Sequence, residues 1–182
     1  MIEEAPTRDR LILSAAQLFR QRGYHATGLA EILTAAAVPK GSLYHHFPAG
    51  KADLARAAAD WTADVLIRII DDAFTPAGTW QGGVTTYCHK MAKFFDLTDT
   101  PQSCPISALM FDGPETDTFR DHVAAVFARI IAVFAAHAAR LEQRDPQTSA
   151  ETLMILVEGS WTLARARRQS DVLRQLPARL FR

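Results

Sequence analysis

Between Val38 and Lys51 the chain reads VPKGSLYHHFPAGK, with an ammonium, a hydroxyl, a phenol and two adjacent imidazoles in one short span. Two chemistries fit those residue types. Paired histidines can ligate a metal ion, while amine, hydroxyl, phenol and imidazole donors around a glycine can hydrogen-bond phosphates and base edges. Helical geometry discriminates between them. Adjacent residues on a helix diverge by ~100°, so one ion is hard for His45 and His46 to share. No CxxC or Cys/His quartet spacing occurs elsewhere either, and no metal is expected. For His45 and His46 a solvated helix end remains the plain alternative to a contact.

A helix over Lys40–His46 places Leu43 and Phe47 at i, i+4, where they can pack back onto Leu11, Phe19 and Ile32. Lys40, Gly41, Ser42, Tyr44 and His45 then lie on its other sides, and Gly41 lets another backbone approach closely. Ahead of it, DRLILSAAQLFRQRG has Leu11, Ile12, Ala15, Leu18 and Phe19 at helical spacing, with Gly23 as the stop. Thr27 is the expected N-cap of a second short helix over 28–36, ended by Val38-Pro39. Three short helices, the last two joined by a tight turn, form a helix-turn-helix pattern.

The rest also reads as helix, without alternating β-branched and polar runs. A long helix is expected over 51–74, then helices over 80–97, a short apolar one in CPISALMF, 115–143, 150–168 and a brief one over 171–176. The expected fold is therefore all-α with about nine helices. It divides into a head, 1–50, and a body, 51–182, with 51–74 as the connecting helix.

At 182 residues, 48% hydrophobic and 22% charged, the chain can bury a substantial core. Its net charge of zero conceals a pattern. From Arg8 to Lys51 there are six Lys/Arg against two acids, from 52 to 164 eight against fifteen, and from 165 onward six against one. A basic N-terminal module on an acidic body suits a polyanion-binding head. No apolar run approaching the ~18 residues of a membrane span and no secretory start are recognised, so a soluble cytoplasmic protein is the expectation. Cys88 and Cys104 are the only cysteines and are expected as reduced thiols.

TGLAEILTAAAVPKGSLYHHFPAGKADL, Thr27 to Leu54, resembles the helix-turn-helix of the TetR/AcrR family of transcriptional repressors, most specifically in KGSLYHHF. SCPISALMFD and LVEGSWTLARARRQSDVL resemble the ligand-binding half of the LmrA/YxaF-like branch. The resemblance implies a homodimer that binds a palindromic operator in double-stranded DNA and lets go when a small molecule binds the body. It places Lys40, Gly41, Ser42 and His45 at bases or nearby phosphates, and Thr27, Tyr44, His46 and Lys51 at phosphates. One position departs from the pattern: Ala37 stands where the turn usually holds glycine, which costs on the order of 1 kcal/mol at positive φ.

In the body, Met91, Phe94, Phe95, Met110, Phe111, Phe127, Phe134 and Trp161 either line a ligand cavity or simply form core. His89, Tyr87, Ser107 and His122 are the polar groups that could orient a ligand, and the branch suggests an apolar or aromatic effector. Gly159 and Ser160 make a small-residue notch among Leu153, Leu156, Val157 and Leu163, suited to a dimer seam or to an internal helix crossing. Cys104 opens a short helix, where a redox sensor or a packing residue would sit, and Cys88 falls on an apolar stripe. No nucleophile elbow, phosphate loop, HExxH or paired-carboxylate spacing is present, so neither an enzyme nor a cofactor is expected.

Overall fold

The computed structural model describes residues 5–97, 106 and 116–181. Among these, all regular structure is helical: α1 Thr7–Arg22, α2 Leu29–Ala36, α3 Lys40–His46, α4 Lys51–Phe74, α5 Trp80–Asp96, α6 Thr116–Arg140, α7 Pro146–Arg167 and α8 Asp171–Leu180. The short helix expected in CPISALMF, together with Cys104, Ser107, Met110 and Phe111, lies outside the described residues.

Three element ends differ from expectation, each for a local reason. Helix α2 is capped by Gly28, whose N–H donates to Glu31 Oε2 at 3.1 Å, and Thr27 is not its cap. The Thr27 hydroxyl instead donates to the Gly23 carbonyl at 2.8 Å, because Thr27 sits one residue too early and turns into the α1–α2 corner. Helix α7 begins at Pro146 rather than near Ala150. Asp145 caps it, accepting the Thr148 N–H at 3.0 Å, and proline at the first helical position lacks only a donor that would go unused. Helix α8 runs through Pro177 to Leu180 because Val172, Leu173, Leu176 and Pro177 are all buried.

The chain divides into two compact units, Met1–Ala63 with Pro105–Val126, and Asp64–Cys104 with Phe127–Arg182. In the first, α1 packs on α2 and α3. Leu11, Phe19, Ile32, Leu43 and Leu54 are fully or almost fully buried, joined by Phe47 and by Phe119 of α6. In the second, α8 packs on α5 and α7 around Phe74, Phe134, Leu153 and Leu173.

Phe74 organises the second unit. Its ring lies 4.9 Å from Trp80, 5.7 Å edge-on to Phe134 and 5.4 Å over His137, whose Nε2 pairs with Asp71 at 2.9 Å. Gly83 makes that packing possible, since a Cβ there would fall 2.3 Å from Phe74 Cδ1. One sequence expectation needs correcting: Phe119–Arg140 of α6, mean hydropathy 1.7, is by length and composition apolar enough to cross a membrane. Phe119, Val123, Val126, Ile130 and Phe134 are its buried stripe, and 28% of that apolar stretch is buried.

Candidate nucleic-acid interface

Helix α3 is anchored from below. Leu43 is fully buried and Phe47 is 3% exposed, so the i, i+4 pair fixes which way the helix faces. Lys40, Gly41, Tyr44 and His45 are exposed, and Ser42 and His46 are half-buried. Beyond its chain neighbours and the backbone of its own helix, nothing lies within 4 Å of where a Gly41 Cβ would stand, so the backbone is open there. The His45 and His46 rings meet edge-on, 4.9 Å apart.

The turn ahead of α3 keeps the left-handed geometry usually assigned to glycine. Ala37 has φ 51° and ψ 48°. Its N–H bonds to the Thr34 carbonyl at 3.1 Å and the Val38 N–H to the Leu33 carbonyl at 3.0 Å, a Schellman closure of α2. Arg10 of α1, which sequence reasoning missed, ties this strained corner down. Its Nε donates to the Ala36 carbonyl at 2.9 Å and its other arm to the Ala37 carbonyl. Nothing in the sequence signals a contact between residues so far apart.

Past α3, Gly50 at φ 66° turns the chain into α4, close enough that a Cβ would touch Tyr44 Cε1 at 3.4 Å. Asp53 accepts the Ala49 N–H at 2.7 Å and pairs with Arg56 at 3.2 Å. Lys51, half-buried at the start of α4, holds its Nζ 4.3 Å over the ring of Tyr24. At the α1–α2 corner Arg22 meets Glu31 at 2.6 Å. The Gly28 N–H, and after it Arg22, hold the Glu31 carboxyl below its usual range.

The structure thus places Lys40, Gly41, Ser42, Tyr44, His45 and His46 on α3 and Lys51 at the start of α4. It does not bring the Thr27 hydroxyl there, for Thr27 is 1% exposed and engaged inward.

In the second unit Phe94 and Phe95 lie 6.0 and 5.3 Å from Trp161. Met91, Phe95 and Trp161 are buried, while Phe94 and Phe127 are half-buried. A separate cleft of about 220 Å³ opens by Trp80, Asp145, Thr148 and Phe181, and none of the expected pocket residues lines it. Helix α7 is also two-sided. Leu153 and Ser160 are buried within their own unit. Ile155 at 70% and Leu163 at 45% exposure point outward, with Gly159 in open space and Leu156 half-buried.

A short helix held by two apolar anchors, polar on its bare side and preceded by another helix across a tight turn, is the head of a helix-turn-helix DNA-binding protein. The comparisons with known proteins narrow that class. Residues 11–58 match the bacterial regulatory proteins of the tetR family, and residues 82–179 match the LmrA/YxaF-like C-terminal domain of transcriptional regulators. The chain belongs to the TetR family of transcriptional regulators. It is 34% identical over 174 residues, 88% of this chain and 85% of the relative, to the uncharacterized HTH-type transcriptional regulator Rv0196 of Mycobacterium tuberculosis (strain ATCC 25618 / H37Rv). Among solved structures, the reduced form of NemR from E. coli superposes with a TM-score of 0.82 at 22% identity, over 96% of this chain and 95% of NemR. A cysteine mutant of the TetR-family regulator CifR, complexed with 26-bp operator DNA, does so with a TM-score of 0.80 at 22% identity, over 94% and 93%. The family and these relatives are regulators, not enzymes.

Proposed function

We propose that this protein is a homodimeric, cytoplasmic repressor that reads a palindromic operator through α3 and is released by a small, largely apolar or aromatic effector. The observation that carries the reading is the division of α3 into buried anchors, Leu43 and Phe47, and an exposed polar side. Lys40, Gly41, Ser42 and His45 meet bases and nearby phosphates, and Tyr44, His46 and Lys51 meet phosphates. Operator DNA is the partner in the CifR complex, whose fold this chain shares, and the basic head supports the same partner here.

The second copy docks on the outward face of α7, where Ile155, Leu156, Gly159 and Leu163 form an apolar strip around a residue with no side chain. The effector is received by Met91, Phe94, Phe95, Phe127 and Trp161, with Met110 and Phe111. An effector that binds the DNA-incompetent state more tightly shifts the population off DNA, with α4 as the coupling helix.

A footprint on the DNA directly upstream of the protein's own gene, at moderate salt and repeated against a panel of small molecules, tests this. A protected palindrome that one compound class abolishes is expected. Absence of any sequence-dependent protection overturns it. The competing form of the same reading is a redox-responsive regulator sensing through Cys104, and a Cys104→Ser protein that peroxide still releases from DNA removes it.

A further inference from the structure

Among the described residues of the head core, Phe119 is the one that α6 supplies. It is 4% exposed, and its ring stands 5.0 Å from that of Tyr24 at 70°, an edge-on arrangement that aromatic pairs prefer. The Arg56 guanidinium, itself paired with Asp53, also stands over the Phe119 ring, 5.4 Å from its centre. Tyr24 also meets the rings of Phe19 at 5.5 Å and His25 at 5.1 Å. Over the face of Tyr24, 4.3 Å from its centre, stands the Lys51 ammonium.

We propose that Phe119 is a positioning residue for DNA binding: it fixes the Tyr24 ring, and that ring holds the Lys51 ammonium in place for a backbone phosphate. The proposal rests on the DNA-binding reading above. A lysine carries its charge on a flexible four-carbon stem, so ordering it on DNA costs side-chain entropy. An aromatic face attracts the ammonium and confines it before DNA arrives. The ring can do this only if it does not tilt, and Phe119 packs edge-on against it. Replacing Phe119 by leucine keeps the site apolar but removes the edge contact and leaves space for Tyr24 to swing.

The test is a double-mutant cycle on full-length protein, with a DNA fragment from directly upstream of its own gene, titrated at several salt concentrations. Phe119→Leu is expected to weaken binding about three- to ten-fold by letting Lys51 wander. Lys51→Met is expected to weaken binding and to lower the slope of log affinity against log salt by about one. The double variant should bind within about two-fold of Lys51→Met alone, and Phe119→Leu alone should already lower the slope. Circular dichroism monitors folding, and Phe119→Met replaces Phe119→Leu in the cycle if the leucine protein is not helical. Effects that multiply, or a salt slope unchanged by a folded Phe119 variant, overturn the positioning role. Failure of the wild-type protein to bind the fragment is a different result, which overturns the repressor reading and this proposal with it.

Discussion

Arg10 Nε donates to the carbonyl of Ala36 at 2.9 Å, linking the first turns of α1 to the left-handed end of α2. That bond sits beside the backbone strain of Ala37. Ala37→Gly should relieve roughly 1 kcal/mol and raise Tm by about 2–4 °C, because glycine reaches positive φ without penalty. Arg10→Met should lower stability by roughly 1–2 kcal/mol, since two carbonyls lose a charged donor. Thermal unfolding of both proteins checks this, and a fall in Tm for Ala37→Gly would refute the strain.

On α3 the contacts divide by kind. His45→Ala should cost about 1–3 kcal/mol of operator affinity and loosen preference at one base position. Leu43→Ala, by contrast, should lower Tm and affinity together, because it removes an anchor that is fully buried. Binding to operators mutated base by base separates the two, and equal losses on every sequence for His45→Ala would assign it to the backbone instead.

A methyl group at Gly83 would lie 2.3 Å from Phe74 Cδ1, and Phe74 is itself fully buried. Gly83→Ala should therefore destabilise the protein by about 1–3 kcal/mol although alanine is the better helix former. Chemical denaturation measures it, and a more stable Gly83→Ala protein would show that Phe74 moves aside freely.

Burial pushes the Cys88 thiol up to about 12. In the Cys104→Ser background, folded protein should resist maleimide at pH 8 while denatured protein takes one label. The linkage follows in sign. A folded pKa above the unfolded one gives stability that is complete below pH ~8.5, the unfolded value, and declines as pH rises toward 12. Rapid labelling of Cys88 in the folded state would contradict its burial.

The outward strip on α7 predicts an oligomer. Ile155→Glu with Leu163→Glu should convert a dimer to monomer in sedimentation with helicity retained, whereas Leu153→Glu should unfold the chain, since Leu153 is fully buried. A double variant that sediments like wild type would place the seam elsewhere.

Local rules determined much of this protein. The period of apolar residues, the breakers and the KGSLYHHF run were enough for an all-α chain, a helix-turn-helix head and the family, because each is written in residues a few positions apart. The side of α3 that faces out followed from Leu43 and Phe47 alone. What the tertiary structure decided lies in contacts between residues distant in the chain. Arg10 bonds to carbonyls 26 and 27 residues away, and Phe119 enters the head core from α6. Neither leaves a trace in periodicity. The same holds for α7, where the sequence left a dimer seam and an internal crossing both open, and Leu153 and Ser160 are buried while Ile155 is exposed. Apolar residues on more than one side of a helix do not say which stripe its own chain will cover, since only the neighbouring helices make that choice.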